Sequence, residues 1–198
     1  IELKLNANLE VMYIGLQHEY IDLKHHGFED FSTISQVLEK NHFPGLKVFK
    51  YGFDELYVNE SNVYPNLGNI TAVLEQMPAL QMLDITGAFE LTQPLNLNHL
   101  KSLSIDVDLG VENSHDVMAI SQKTLDFFMA SKIDMLESFE LCINNTDFYY
   151  DLNLDFFRQL DLSKLQRVSV YGCFQKDLES QIYDLLHPFV KNICIENH

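Results

Sequence analysis

A chain of 198 residues with 46 % hydrophobic and 21 % charged residues is long enough for one domain with a substantial core, and too apolar for a disordered tail. Its 13 Lys and Arg stand against 29 Asp and Glu, a formal charge of −16, which repels nucleic-acid phosphate and anionic lipid. Nucleic acid and membrane surfaces are therefore not expected as partners. Cys142, Cys173 and Cys194 are odd in number and form no CxxC pair, which suits a reducing compartment. Asn59, Asn69 and Asn144 head N-x-S/T sequences, but no signal peptide accompanies them and no apolar run reaches the length of a membrane span. The expected location is the cytoplasm. Residues 1–198 are expected to form a single domain, on its own or within a longer chain, since the sequence opens at Ile1.

In chain order, one phrase recurs: apolar, two variable positions, apolar, one variable position, apolar. It runs as Leu9-x-x-Met12-x-Ile14, Leu46-x-x-Phe49-x-Tyr51, Leu80-x-x-Leu83-x-Ile85 and Leu100-x-x-Leu103-x-Ile105. Leu136-x-x-Phe139-x-Leu141, Leu165-x-x-Val168-x-Val170 and Val190-x-x-Ile193-x-Ile195 complete seven copies. The last two apolar positions are two apart, so both face one side of a strand, and the first packs beneath it. Starts are separated by 37, 34, 20, 36, 29 and 25 residues, each enough for a crossover to a parallel strand.

Most gaps carry a helical pattern. Ser32 or Thr33 is expected to cap a helix whose Ile34, Val37 and Leu38 share one face. Asn69 caps the run with Ile70, Val73, Leu74 and Met77, which Pro78 stops. The spacing of Val117, Ile120, Thr124, Leu125, Phe128 and Met129 predicts a helix from about His115 to Ser131. Shorter helices fit Leu154 to Leu160, and Leu178, Ile182, Leu185 and Leu186 before Pro188. The 20-residue gap, with Leu91, Leu95 and Leu97, is too short and irregular for one. A doubly wound sheet shows the same alternation of elements, but its strands carry longer apolar runs and its first turn is Gly-rich.

The phrase resembles the leucine-rich-repeat signature Leu-x-x-Leu-x-Leu-x-x-Asn/Cys. Leu136 to Asn144 and Leu165 to Cys173 match through the final polar position, whereas other copies carry Gln17, Asp54, Ala88, Asp108 and His198 there. The uneven repeat length is similar to irregular bacterial repeat proteins. The resemblance implies an α/β solenoid, a horseshoe with about seven parallel strands on its concave face and helices on its convex face.

In that register, alternate strand residues face outward in columns. One column holds Val11, Val48, Met82, Ser102, Ser138, Arg167 and Asn192. The next holds Tyr13, Lys50, Asp84, Ser104, Glu140, Ser169 and Cys194, and a third includes Asp106, Cys142, Tyr171 and Glu196. The candidate binding residues are thus Tyr13, Lys50, Met82, Asp84, Asp106, Glu140, Arg167 and Tyr171. The surface starts apolar and aromatic, as a partner site or as a face covered by a preceding segment, and turns acidic at Asp84, Asp106 and Glu140, as a site or as a solvated face. Aromatics in the inserts, Phe53, Tyr57 and Tyr64 and then Phe148, Tyr149 and Tyr150, serve recognition or fold back on the core.

No metalloprotease, P-loop, hydrolase-elbow or dinucleotide motif is present. His18, Glu19, His25 and His26 are the nearest to a metal cluster, but adjacent histidines point apart. Ser114, His115 and Asp116 are contiguous and cannot converge as a triad, so they suit a helix start. No catalytic residue, cofactor or metal is expected. The expected function is a non-enzymatic protein-interaction module. Its partner is a protein, basic or of mixed charge, and an inhibitor or immunity protein masking a cationic toxin is a specific version. The alternatives are a structural or regulatory repeat segment of a larger protein, and an enzyme of unknown type.

Overall fold

The computed structural model describes residues 8–15, 28–52, 64–107, 120–143, 149–175 and 177–197. The chain runs β1 (Val11–Ile14), β2 (Phe28–Asp30), α1 (Ser32–Leu38), β3 (Val48–Gly52), β4 (Tyr64–Asn69), α2 (Thr71–Glu75), β5 (Met82–Thr86) and β6 (Ala88–Glu90). It continues through β7 (Ser102–Val107), α3 (Gln122–Met129), β8 (Ser138–Ile143), α4 (Leu154–Gln159), β9 (Arg167–Gly172), α5 (Leu178–Leu186) and β10 (Asn192–Asn197). The result is an α/β fold around a seven-stranded parallel sheet.

That sheet has the order β1-β3-β5-β7-β8-β9-β10. Its strands follow the chain without reversal, unlike a doubly wound sheet, whose order turns back at a switch point. Every strand is one of the seven phrases, paired in the predicted register: Val11, Val48, Met82, Ser102, Ser138, Arg167 and Asn192 lie side by side. The backbone enters five of the seven strands in the same way. The N–H groups of Lys47 and Val48 both donate to the Glu10 carbonyl at 2.8 and 3.0 Å, and those of Gln81 and Met82 to Lys47 at 2.8 and 2.9 Å. The same fork joins Lys101 and Ser102 to Gln81, Glu137 and Ser138 to Lys101, and Gln166 and Arg167 to Glu137. One local conformation, written by one phrase, thus satisfies the backbone at the start of five successive strands.

The core lies behind this sheet. Phe49, Leu83, Leu103, Phe139 and Val168 form one buried column, and Leu46, Leu80, Leu100, Leu136 and Leu165 another beneath the strand starts. At the two ends Leu9, Met12, Ile14, Ile193 and Ile195 are only partly buried, since each has a neighbouring strand on one side alone. Helix α3 packs Phe128 against Phe139 with ring centroids 6.5 Å apart, and α4 places Phe156 5.3 Å from Phe139.

Several local expectations change. Neither Ser32 nor Thr33 caps α1: the Asp30 carboxylate accepts the Ser32 N–H at 2.9 Å, and hydrogen bonds from the Ser32 side chain and then its backbone hold the Asp30 carboxyl below the usual aspartate range. Ile34 is 37 % exposed and Ser35 takes the inward place, because its hydroxyl is satisfied by the Tyr51 hydroxyl (2.8 Å) and the Leu67 carbonyl (2.6 Å). Asn69 holds the start of α2 by accepting from the Thr71 N–H at 3.0 Å. Helix α3 starts after Ser121, later than His115, because Ser121 is extended and its Oγ accepts the Thr124 N–H.

A second, three-stranded parallel sheet, β2-β4-β6, was not predicted. Its strands β2 and β4 lead directly into α1 and α2, β6 follows β5, and the Phe31 N–H donates to Asn66 O across the sheet. The short gap between β5 and β7 indeed holds no helix; it contributes β6 and the buried Leu91, Leu95 and Leu97.

Candidate interaction surface

The outward face of the main sheet brings the predicted residues together in rows. The row Tyr13, Lys50, Asp84, Ser104, Glu140, Ser169 and Cys194 runs straight across seven strands. At its start the Lys50 ammonium sits 2.8 Å from the Asp84 carboxylate and 5.9 Å from the centre of the Tyr13 ring. The hydrogen bond and charge of Asp84 raise the pKa of Lys50. Pair and ring together make a fixed polar strip beside apolar Val11, Val48 and Met82. Val11, Tyr13 and Met82 are 45 %, 66 % and 38 % exposed, so this end offers a contiguous apolar and aromatic patch to solvent.

The far half is polar. Glu140 is exposed on β8 and Arg167 on β9, and neither forms an ion pair among the described residues. Asp106 is half-buried, beside Thr86 on one side and Cys142 on the other. Tyr171 lies between Cys142 and Glu196; its hydrogen bond with Cys194, followed by desolvation, raises its pKa.

The sequence columns omitted the rim. A groove of about 580 Å³ runs along the strand starts, lined by Glu10, Lys47, Gln81, Lys101, Glu137 and Gln166 as well as by the first outward column. Two ion pairs bridge neighbouring strands there, Lys47–Glu10 at 2.6 Å and Lys101–Glu137 at 3.3 Å. These residues hold the second position of each phrase, so the repeat itself was the signal that marks them.

The acidity expected at the centre is locally offset. Face and rim carry Lys47, Lys50, Lys101 and Arg167 against Glu10, Asp84, Asp106, Glu137, Glu140 and Glu196. Most of the chain's excess negative charge therefore belongs to residues elsewhere.

Of the insert aromatics, Tyr150 is buried and its hydroxyl donates to the Ile120 carbonyl at 2.8 Å, while Tyr149 is 65 % exposed. Phe53, Tyr57 and Phe148, the Tyr64 side chain, the His18, Glu19, His25 and His26 group and the Ser114 to Asp116 run lie outside the described residues. Among the described residues, no group of three His, Cys, Asp or Glu is placed to hold a metal ion, and no helix is long and apolar enough to cross a membrane.

No family model and no curated protein matches the chain. Among solved structures it is similar to the crystal structure of a protein from Bacteroides fragilis, with a TM-score of 0.49 and 19 % identity. The match covers 94 % of this chain and 43 % of that one, so the chain spans less than half of that protein's length.

Proposed function

We propose that this chain is an irregular leucine-rich-repeat solenoid that binds another protein through the open face of its main sheet and catalyses no reaction. The strand order, which follows the chain, and the carbonyl fork repeated before five of the seven strands support the repeat reading. The single observation that carries the binding reading is the exposed row of Val11, Tyr13 and Met82, set beside the Lys50–Asp84 pair on a face that nothing among the described residues covers. Tyr and Met are enriched in protein interfaces, and Tyr is among the residues that supply most of their binding energy. The near balance of charge on this face supports a partner of mixed charge over a uniformly cationic one. The cytoplasm is the proposed location, supported by the absence of any disulfide among the three cysteines.

The test is affinity capture with three baits: wild type, Tyr13→Ser/Met82→Ser, and Ile34→Ser on α1 as an off-face control. A protein retained by wild type and Ile34→Ser but lost with the double variant is expected. Equal retention by the double variant would remove the face from the binding role.

A further inference from the structure

The groove along the strand starts runs across the main sheet and changes character from one end to the other. Around β3 and β5 it is apolar, with Val48 and the exposed Met82 side by side. Five charged residues line it, and four of them neutralise each other as the Lys47–Glu10 and Lys101–Glu137 pairs. Arg167 on β9 is the fifth: it is exposed, and among the described residues it has no ion-pair partner. β3, β5, β7, β8 and β9 each have a strand on both sides, so the stretch from Val48 to Arg167 lies wholly inside the sheet.

Each part of the groove has a chemical complement. Val48 and Met82 match apolar side chains. The Arg167 guanidinium offers a planar fork of N–H donors that a carboxylate fills with two parallel bonds, and its neighbours in the row, Ser138 and Asn192, are neutral. The side-chain amides of Gln81 and Gln166 make no hydrogen bond within the chain among the described residues, which suits them to the N–H and C=O groups of an extended backbone. A helix already uses those groups internally. The bulk charge of −16 opposes a strongly acidic segment, so the match to Arg167 is a single carboxylate. From Met82 to Arg167 the row crosses three strand intervals, roughly 14 Å at about 4.8 Å each, which an extended chain covers in about four residues. Side chains two and four residues apart on such a chain point the same way, so apolar residues and an acid at that spacing all face the sheet. We propose, on the reading of this chain as a protein-binding module, that the groove takes an extended segment of another protein. Its apolar side chains lie over Val48 and Met82, and one Asp or Glu about four residues further on is held by Arg167.

The probe is a labelled synthetic peptide, blocked at both ends, with Leu at two alternate positions, Glu four residues beyond the second Leu, and Ser elsewhere. A second probe carries the reversed order. Each is titrated into the full chain by fluorescence anisotropy at physiological salt, where the Debye length of about 8 Å screens the bulk charge. Saturable binding of one of the two is expected. Gln in place of the peptide's Glu, or Arg167→Gln in the protein, should weaken it at least tenfold, and both changes together should weaken it no further than either alone. Moving the Glu by two residues, which keeps its composition and its side of the chain, should also weaken it at least tenfold. Circular dichroism verifies the fold of the exposed Arg167 variant. No saturable binding of either probe, equal binding by Arg167→Gln, or indifference to the position of the Glu would overturn the proposal. So would a captured partner that is lost with Tyr13→Ser/Met82→Ser but retained by Arg167→Gln, which would leave the sheet in its binding role. Retention of that partner by both variants would remove the binding role of the sheet as well.

Discussion

Gly52 sits at the exit of β3 with φ +113°, where a Cβ would lie 1.8 Å from the Thr86 carbonyl oxygen on the next strand. An L side chain there meets both a disfavoured backbone conformation and a backbone atom that cannot move without breaking the sheet. Gly52→Ala should cost more than ~2 kcal/mol in urea unfolding, the range for strain of this kind with a clash added; a loss near zero would contradict the close approach. Tyr51, one residue earlier, is buried, and burial pushes its hydroxyl up to about 12 from 10.0. The unfolded chain gives up this proton near pH 10 and the folded chain only near 12. Stability should therefore fall as pH rises through that window. Tyr51→Phe should remove this part of the fall, measured as the difference between the two proteins' urea midpoints from pH 9 to 12. Identical pH profiles would show that Tyr51 does not resist ionisation.

At the scale of elements, the strands were legible because a period of two admits only one way to bury Leu103 and Ile105 while Ser102 and Ser104 face out. Leu103→Asp places an unpaired carboxylate between Leu83 and Phe139 and should abolish cooperative folding, whereas Ser104→Asp should fold at a cost under ~1 kcal/mol from its acidic neighbours Asp84 and Glu140. Near-equal melting of the two variants by circular dichroism would refute the register. The helices were legible where apolar spacing was long, as for Leu125, Phe128 and Met129, and blurred at their starts. There a single polar bond decides, such as Asp30 to Ser32 or Ser121 to Thr124, and Ser35 shows a polar residue taking a core place that spacing assigned to Ile34. The small sheet β2-β4-β6 was not legible, since β2 and β6 have three residues each, too few to show alternation, and β4 carries Pro65 and Gly68, which read as turn residues. The outward columns were legible as positions, but the Lys50–Asp84 pair depends on side-chain reach between strands, which spacing does not contain.

For the whole molecule, net charge is a poor guide to the charge on the outward face of the main sheet. A charge of −16 suggests an acidic surface facing a cationic partner, yet the seven-stranded face pairs Lys50 with Asp84 and sets Arg167 near the exposed Glu140. A bulk charge of this size acts at long range, whereas contact on a surface is decided by the groups it presents. Under the proposed function, recognition on the face falls to Val11, Tyr13 and Met82 at one end and to the exposed Glu140 and Arg167 at the other. A parallel sheet with helices on one side and nothing over the other among the described residues leaves its outward side chains free for such contact. The most direct measurement places a photo-crosslinking residue at Ser104, in the middle of that face, and in a second protein at Asp126 on α3. Irradiation in native lysate should join one partner protein to the Ser104 position and none to Asp126. Adducts at Asp126 alone, or the same adducts at both positions, would contradict binding through the sheet.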